Sequence, residues 1–254
     1  MSRFEELKRK IAAREEVLTT NLGNIGWSGI IEVISRFPFD AVVLDLEHGT
    51  LSVESAETLL RTCRLCDLPG IVRIPDCIPH LISKTLDMGA DGIIIPRVES
   101  ISQVETAIRA MRYFPRGRKG CGGFSNLRRE DEGSVGKYNN NRLLFVQMES
   151  EEGLSVLPEI LGKYKSEVSG VLIGPYDASI MLETPLDIMS DKMTEFIGKV
   201  FSICNEKEIS CGSFVDDKTL IPRYRNLGGN IFWTGSEISL LSESYKGLCE
   251  AFVL

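Results

Sequence analysis

The sequence predicts an α/β protein folded as one closed (β/α)8 (TIM) barrel, and three observations support this. Eight short apolar runs occur along the 254 residues, nearly every run is followed by a segment with helical periodicity, and the runs are apolar throughout, as in residues 41–44. Continuous apolar strands that alternate with helices are typical of a parallel sheet covered on both faces. Because eight strand–helix units fill ~250 residues, a closed barrel is favoured over an open doubly wound sheet. We therefore expect a single domain over residues 1–254.

The predicted strands share a short, β-branched apolar core bounded by turn-forming residues. They cover residues 17–22, 41–46, 70–74, 92–96, 143–148, 170–173, 210–214 and 230–234. Outer helices are predicted at 51–66 and 236–252. A further helix follows Ser100, where Ser-x-x-Gln has the form of a capping box. One apolar stripe then continues that helix through Ile101, Val104, Ala107, Ile108 and Met111.

Composition and charge exclude several classes of protein. The chain is 26% charged and 43% hydrophobic, which is typical of a globular protein and excludes disorder and collagen-like repeats. Its 29 basic and 36 acidic residues give a net charge of −7. Because nucleic-acid binding needs a basic surface, we expect no nucleic-acid partner.

The lack of a recognisable targeting segment and the pattern of cysteines predict a cytoplasmic protein. No stretch approaches the ~20 apolar residues of a membrane helix, and the charged N-terminus lacks the apolar segment of a signal peptide. We expect no membrane partner. The seven scattered cysteines do not suggest a disulfide framework, and the Cys63–Cys66 spacing lies in a predicted helix, where we interpret both as packing thiols.

One long region, residues 114–141 between the fourth and fifth strands, lacks clear periodicity. Long loops in compact domains are often functional. Two interpretations stay open: a solvated surface excursion, or a lid or anion-binding loop over the barrel mouth. The cations of this region are Arg116, Arg118, Lys119, Arg128 and Arg129.

Polar residues interrupt four apolar runs at their carboxyl ends, where the active sites of (β/α)8 barrels lie. Each has an ordinary explanation alone, such as a turn cap, an ion pair or a helix start. Together they would be costly to bury unless a metal ion or a substrate compensates them. These strand-end residues are Asp45, Glu47, His48, Arg73, Gln147, Glu149, Gly174, Pro175 and Asp177.

The residue types indicate the chemistry. Glu149 and Asp177 would present oxygen ligands from adjacent strands, which suits Mg²⁺ or Mn²⁺ with positions left for water and substrate. His48 is the natural proton carrier, and Asp45 can fix its tautomer if the chain turns after Leu46. A Schiff-base mechanism needs a desolvated lysine, and no predicted strand contains one.

Several motifs occur in a specific order along nearly the whole chain. They are Val-Arg at 72–73, Leu-Asp-Met-Gly-Ala at 86–90, Arg-Tyr-Phe-Pro at 112–115, and D-x-E-H, Q-x-E and G-P-x-D at 45–48, 147–149 and 174–177. The sequence thereby resembles the HpcH/HpaI aldolase family of metal-dependent pyruvate aldolases. The resemblance implies a barrel of the phosphoenolpyruvate/pyruvate-domain type. It also implies a homo-oligomer, hexameric or trimeric, with a swapped C-terminal helix, that cleaves a 4-hydroxy-2-oxo acid to pyruvate and an aldehyde.

The resemblance also implies roles for individual residues. Glu149 and Asp177 would bind Mg²⁺ or Mn²⁺, with Co²⁺ as a further candidate. His48, oriented by Asp45, would be the base, and Arg73 would hold the keto oxygen and the developing enolate. Gln147, Gly174, Pro175, Glu47 and Lys119 would line or support the substrate site.

The sequence departs from the family pattern at several points, and two alternative functions stay open. Lys119 stands where arginine is usual, residues 178–183 replace a glycine-containing turn, and Trp233 and Glu237 alter the last strand end. One alternative is a citryl- or malyl-CoA lyase-like enzyme, whose phosphate site only the basic loop at 116–129 could supply. The other is a non-catalytic barrel that binds a metal ion and an oxo acid.

Overall fold

The computed structural model describes residues 1–123 and 127–253. All eight predicted strands are present, and they form a closed parallel barrel in chain order, with the first strand paired to both the second and the eighth. The predicted (β/α)8 barrel is therefore confirmed. The strands are β1 (Val17–Leu22), β2 (Ala41–Asp45), β3 (Gly70–Arg73), β4 (Gly92–Ile95), β5 (Leu143–Met148), β6 (Gly170–Ile173), β7 (Cys211–Val215) and β8 (Ile231–Ser236).

Helices surround the barrel and cover one end of it. They are α1 (Arg3–Ala13), α2 (Gly29–Ile34), α3 (Val53–Leu65), α4 (Pro79–Asp87), α5 (Ile101–Met111), α6 (Val135–Asn140), α7 (Glu151–Tyr164), α8 (Pro175–Met181), α9 (Asp191–Glu206), α10 (Ile221–Asn226) and α11 (Glu237–Val253). The predicted helices at 51–66, after Ser100 and at 236–252 correspond to α3, α5 and α11. As predicted, the Gln103 side chain reaches back to the Ser100 backbone N–H at 3.0 Å.

Side chains alternate along each strand and separate the core into two layers. One layer fills the barrel interior, with Val43, Ile94, Phe145 and Trp233 among its members. The apolar face of α1 packs on this layer through Phe4, Leu7 and Ile11. The other layer lies between the strands and the outer helices. Because side chains fill the interior, polar groups can gather only at an end of the barrel.

The region at 114–141 is less irregular than predicted, and two of its cations bind acids away from the barrel mouth. It contains a 3₁₀ turn (Arg129–Asp131) and α6, while residues 124–126 lie outside the described residues. Arg128 binds Asp91 at 2.7 Å, and Arg116 lies 2.8 Å from Glu167. Asp91 directly precedes β4, so this contact lies at the amino ends of the strands. Since buried cations need carboxylate partners, these acids hold Arg128 and Arg116 at that end of the barrel. Their contacts favour the surface interpretation of this region over the lid interpretation.

Two further features bear on the sequence predictions. None of the described helices is both long and apolar enough to span a bilayer. The cysteines are free thiols, with Cys63 packed in the core on α3 and Cys66 half-buried at the end of that helix.

Candidate active site

The carboxyl ends of the strands surround a small cavity of about 240 Å³. Cavities for drug-sized ligands measure ~300–1,000 Å³, so this one fits only small reactants. Most of the predicted strand-end residues meet here, beside several side chains that we did not predict. The lining consists of Asn21, Asp45, His48, Arg73, Gln147, Gly174, Pro175, Tyr176, Asp177, Phe214 and Trp233.

Arg73 is fixed by carboxylates and by an aromatic ring. It ends β3 opposite Asp45, which ends β2. Arg73 Nε donates to Asp45 Oδ1 at 2.9 Å, and Nη2 donates to Oδ2. Arg73 Nη1 lies 3.1 Å from Glu47 Oε2, and the Trp233 ring lies 5.0 Å from the guanidinium carbon. Burial lowers the pKa of Arg73, but the hydrogen bonds to Asp45 and the charges of Asp45, Glu47 and Glu149 together outweigh burial and raise it.

Asp45 does not contact the imidazole of His48, which corrects our prediction for this pair. Asp45 Oδ1 accepts hydrogen bonds from the backbone N–H groups of Glu47 at 3.1 Å and His48 at 3.2 Å. The chain turns here at Gly49, whose φ of 104° and close approach to Gly23 require glycine. The His48 ring instead lies between two other carboxylates, with Nε2 3.5 Å from Asp177 Oδ2 and 4.0 Å from Glu47 Oε2.

Glu149 is a buried carboxylate that follows β5. Its Oε2 atom accepts a hydrogen bond from the backbone N–H of Arg97 at 2.9 Å, and Oε1 accepts one from the Gln147 amide. The reverse orientation of that amide would place two oxygens together. Burial raises the pKa of Glu149 to about 7, and the charges of Asp177 and Glu47 add to the effect. Glu149 and Asp177 therefore repel each other within one site.

Gly174 provides the space in which Glu149 lies. A Cβ atom at residue 174 would lie 2.2 Å from Glu149 Oε1 and 2.3 Å from Gln147 Nε2. Gly174 caps α8, which begins at Pro175 and carries Asp177 in its first turn. The Gly-Pro-x-Asp spacing thus leaves room for one carboxylate and places the second carboxylate beside it.

The donor set fits a divalent cation. Four carboxylates (Asp45, Glu47, Glu149 and Asp177) face one guanidinium, that of Arg73, and the Arg73 contacts go to Asp45 and Glu47. A dication would relieve the repulsion between Glu149 and Asp177, and carboxylate oxygens are the ligands that Mg²⁺ and Mn²⁺ prefer. In residues 1–123 and 127–253, no group of three or more His, Cys, Asp or Glu side chains is arranged around an ion position. The protein would supply two carboxylates and leave the other positions open.

Lys119 lies outside this cavity, which corrects its predicted place in the substrate site. Its ammonium binds Asp87 and the carbonyl oxygen of Gly120 at 3.0 Å, and it lies 5.2 Å from the Tyr113 ring. Asp87 ends α4, on the side of the barrel where the strands begin. A fully buried lysine needs such a carboxylate, and this requirement explains its position.

Part of the cavity wall is not among the predicted site residues, and Trp233 was noted only as altering the last strand end. Asn21, Phe214 and Trp233 lie on β1, β7 and β8, and Tyr176 lies on α8. Asn21, Phe214 and Trp233 lie inside or next to apolar runs, where an amide or aromatic side chain is normally interpreted as part of the core. The only available signal was their position near the carboxyl end of a strand.

The fold and the site define a (β/α)8 barrel with an acidic, Arg-containing catalytic mouth. The sequence model of the family described as HpcH/HpaI aldolase/citrate lyase matches residues 28–244, and the chain belongs to this family. The predicted family is therefore confirmed, and so is the prediction that the chain is an enzyme of the aldolase class.

Individual relatives agree with this assignment. A hydroxypyruvate/pyruvate aldolase from Roseovarius nubinhibens is 30% identical over 229 residues, which cover 87% of this chain and 88% of the relative. A 4-hydroxy-2-oxo-heptane-1,7-dioate aldolase from Escherichia coli is 27% identical, with coverages of 87% and 85%. The crystal structure of an HpcH/HpaI aldolase from Desulfitobacterium hafniense shares the fold, with a TM-score of 0.87, 23% identity and coverages of 98% and 97%.

Proposed function

We propose that this protein is a divalent-metal-dependent aldolase that cleaves a 4-hydroxy-2-oxo acid to pyruvate and an aldehyde. The observation that carries the proposal is the pair of mutually repelling carboxylates Glu149 and Asp177 at the end of the barrel where Asp177 and Arg73 line one small cavity. The names of the relatives support the same chemistry, because they are aldolases of pyruvate, of hydroxypyruvate or of a 4-hydroxy-2-oxo acid.

The residues of the cavity suit the steps of this cleavage. Bond breaking between C3 and C4 needs a base for the C4 hydroxyl, and His48 Nε2 is the base at the mouth. The electron pair left on C3 forms an enolate, and its negative oxygen needs hydrogen-bond donors. Arg73 has five N–H groups, of which three face Asp45 and Glu47, so that two are left for the enolate oxygen. Protonation of C3 then gives pyruvate.

Glu149 and Asp177 are the residues that would hold the metal ion. Mg²⁺ and Mn²⁺ fit this oxygen donor set best, and Co²⁺ is a further candidate. When bound, the ion supplies Lewis-acid stabilisation of negative charge on the substrate. Gly174 and Gln147 keep Glu149 in place, and Arg97 contributes its backbone N–H.

The structure offers little support for a CoA thioester substrate. Such a substrate would need free cations in the loop at 116–129 for its phosphates. Three cations of that loop, Arg116, Lys119 and Arg128, are instead bound to Glu167, Asp87 and Asp91, which leaves the exposed Arg118 and Arg129 for that role. A non-catalytic barrel is disfavoured because a binding site alone has no need of a base at the mouth.

We also propose that the chain forms a homo-oligomer through α11. This helix extends from β8 with its apolar residues exposed, including Tyr245 at 64%, Leu248 at 68% and Phe252 at 91%. An apolar cavity of about 240 Å³ lies between α2 and the start of α11. Exposed apolar faces of this kind are typical of protein interfaces.

Retro-aldol turnover tests the proposed activity. Pyruvate release from 4-hydroxy-2-oxopentanoate and 4-hydroxy-2-oxoheptanedioate would be followed with lactate dehydrogenase and NADH, with Mg²⁺ or Mn²⁺ present. We expect turnover by the wild-type protein that is lost in Glu149→Gln and kept in Glu152→Gln, which alters an exposed residue of α7. A Glu149→Gln variant with full activity would contradict the proposal.

A further inference from the structure

Glu237, the first residue of α11, binds the loop that follows β1. Its Oε1 atom accepts hydrogen bonds from three successive backbone N–H groups, those of Gly23 at 2.9 Å, Asn24, and Ile25 at 3.0 Å. Successive backbone N–H groups form a concave site that suits an anionic oxygen, and hydrogen bonds to a charged acceptor are stronger than those to a neutral one. The buried carboxylate of Glu237 therefore fixes this loop to the end of β8.

The loop after β1 in turn holds the turn after β2. Since β1 pairs with both β8 and β2, its loop is the neighbour of both strand ends. The carbonyl oxygen of Gly23 accepts hydrogen bonds from the backbone N–H groups of Thr50 at 2.8 Å and Leu51 at 3.1 Å. Gly49 packs on the same carbonyl group, because a Cβ atom at residue 49 would lie 2.3 Å from its oxygen. One carbonyl group thus contacts the three residues that follow His48.

The backbone of His48 is held on both sides as a result. Its N–H group donates to Asp45 Oδ1 at 3.2 Å, and its carbonyl oxygen lies against Gly23, where an added Cβ atom would be 3.1 Å away. The side chain of His48 is 52% exposed, and its Nε2 atom lies 3.5 Å from Asp177 Oδ2. Since little of the ring is covered, the backbone of this turn decides where the imidazole lies.

We propose that Glu237 is a positioning residue for the base, His48. It acts through the loop after β1 and the turn at 48–51, which meet at the carbonyl group of Gly23. This inference rests on the proposed aldolase function, in which His48 takes the proton of the C4 hydroxyl group. Glu237 does not line the small cavity at the mouth, and its proposed role accounts for a carboxylate that is buried outside that cavity.

Loss of the Glu237 carboxylate would move the turn. The N–H group of Gly23, a buried residue, would be left without its acceptor, and an unpaired buried donor is costly. The loop would then move toward solvent, and the hydrogen bonds to Thr50 and Leu51 would carry the turn with it. A displacement of ~1 Å in a reacting group can lower a rate by ~100-fold, so the effect would appear in kcat.

Substitutions of Glu237 test this role in retro-aldol assays and in calorimetric titrations with Mn²⁺. Glu237→Ala should lower kcat by about 10- to 100-fold. It should leave the Kd for Mn²⁺ within about 3-fold of the wild-type value, because Glu237 lies apart from Glu149 and Asp177. Glu237→Asp keeps the charge but shortens the side chain, and its kcat should lie between those of Glu237→Ala and the wild type.

Two further variants are matched controls. Glu237→Gln should keep most of the wild-type kcat, because Oε2 has no hydrogen-bond partner among the described residues and one amide oxygen can accept from the three N–H groups. Glu243→Ala alters an exposed residue of the same helix and should keep the full kcat.

The position of His48 can be measured without substrate or metal ion. The chain has two histidines, His48 and His80, so NMR spectra of protein with isotope-labelled histidine contain two imidazoles. His80 is exposed on α4 and is the internal reference. Glu237→Ala and Glu237→Asp should shift the ring signals of His48 and leave those of His80 in place.

The His48→Asn background separates a positioning role from general damage to the fold. If Glu237 acts through the imidazole, Glu237→Ala should lower the residual activity of His48→Asn by less than about 2-fold. Unchanged His48 signals in both Glu237→Ala and Glu237→Asp would overturn the inference, and so would an equal loss of kcat in the two backgrounds. Absence of turnover by the wild-type protein would count against the proposed aldolase function, whereas the NMR comparison would still decide whether Glu237 holds the turn.

Discussion

Asp45 and Arg73 lie side by side at the carboxyl ends of β2 and β3 and are joined by two hydrogen bonds, one of 2.9 Å from Arg73 Nε to Asp45 Oδ1. Asp45 also accepts hydrogen bonds from the backbone N–H groups of Glu47 and His48. One carboxylate thus sets both the direction of the guanidinium and the turn that carries His48. Asp45 is therefore a positioning residue for two groups of the proposed mechanism.

Asp45→Asn should lower both activity and stability. Asparagine presents an amide N–H to the guanidinium, so Arg73 keeps only the Glu47 carboxylate and is no longer held in place. Removal of one partner from a buried ion pair costs ~3–5 kcal/mol. Because Glu47 remains, we expect a loss of about 3 kcal/mol in the free energy of unfolding and a fall in kcat of about 100-fold.

Urea unfolding at pH 7.5 and retro-aldol kinetics measure the two effects. Glu57→Gln is the control, because Glu57 forms only an exposed pair of 3.8 Å with Arg61 on α3. It should change stability by less than about 1 kcal/mol. Equal stability of Asp45→Asn and the wild-type protein would show that Asp45 does not hold Arg73.

Glu149→Gln should stabilise the metal-free protein at high pH. The pKa of Glu149 is raised to about 7 by burial and by the neighbouring carboxylates, whereas an unfolded chain titrates near the ordinary value. The folded state therefore binds more protons between ~4.5 and ~7, and stability from this group is lost as pH rises through that range. Glutamine does not ionise, so the Glu149→Gln variant does not lose this stability as pH rises. It should be about 1–3 kcal/mol more stable than the wild type at pH 8, with little difference at pH 4.5.

Denaturation with EDTA at both pH values tests this pH dependence, with Glu152→Gln as the exposed control. Addition of Mn²⁺ should then stabilise the wild type and not Glu149→Gln, because a ligand that binds only the folded state raises stability. A metal-free variant less stable than the wild type at pH 8 would show that burial and the neighbouring carboxylates do not disfavour the ionised form of Glu149.

Gly174→Ala should remove activity because its Cβ atom would overlap Glu149 Oε1 and Gln147 Nε2. The carboxylate must then move, and we expect at least a 100-fold fall in activity and weaker Mn²⁺ binding by calorimetry. Gly162→Ala in α7 is the control, because nothing lies within 4 Å of its Cβ position. Alanine there should keep activity and add up to ~1 kcal/mol of stability. Normal Mn²⁺ affinity in Gly174→Ala would contradict the described site.

Leu248→Glu should reduce the size of the assembly. Leu248 is exposed on α11 beside other apolar residues, and a charge on a buried interface is costly. Light scattering should give a multiple of the 28.3 kDa chain mass for the wild type and a smaller species for the variant. A monomeric wild-type protein would end the proposal that α11 mediates assembly.

The barrel and most of its mouth could be predicted because they follow from local patterns. Each apolar run predicts a strand, and polar residues at its carboxyl end fall at the mouth, as for Arg73 at the end of β3 and Glu149 directly after β5. The partners of these side chains depend on how the chain turns after the strand. Spacing alone suggested an Asp45–His48 pair, but the turn at Gly49 leaves Asp45 with Arg73 and brings His48 to Asp177.

The remaining differences arise from contacts between distant segments. Lys119 and Arg128 are held by Asp87 and Asp91, which lie more than 30 residues earlier in the chain. No periodicity within 114–141 reveals such pairs. Asn21 lies within a predicted apolar strand, and Trp233 was noted only as a change at the last strand end, so neither was predicted to line the cavity.

The most direct test of the central claim is exchange of the pyruvate methyl protons in heavy water, followed by mass spectrometry. The account predicts that the wild-type protein incorporates deuterium with Mg²⁺ or Mn²⁺, and that EDTA, Glu149→Gln and Asp177→Asn each abolish incorporation. Exchange at an undiminished rate in EDTA, or none with any divalent ion, would contradict the claim that Glu149 and Asp177 hold a metal ion for enolate chemistry.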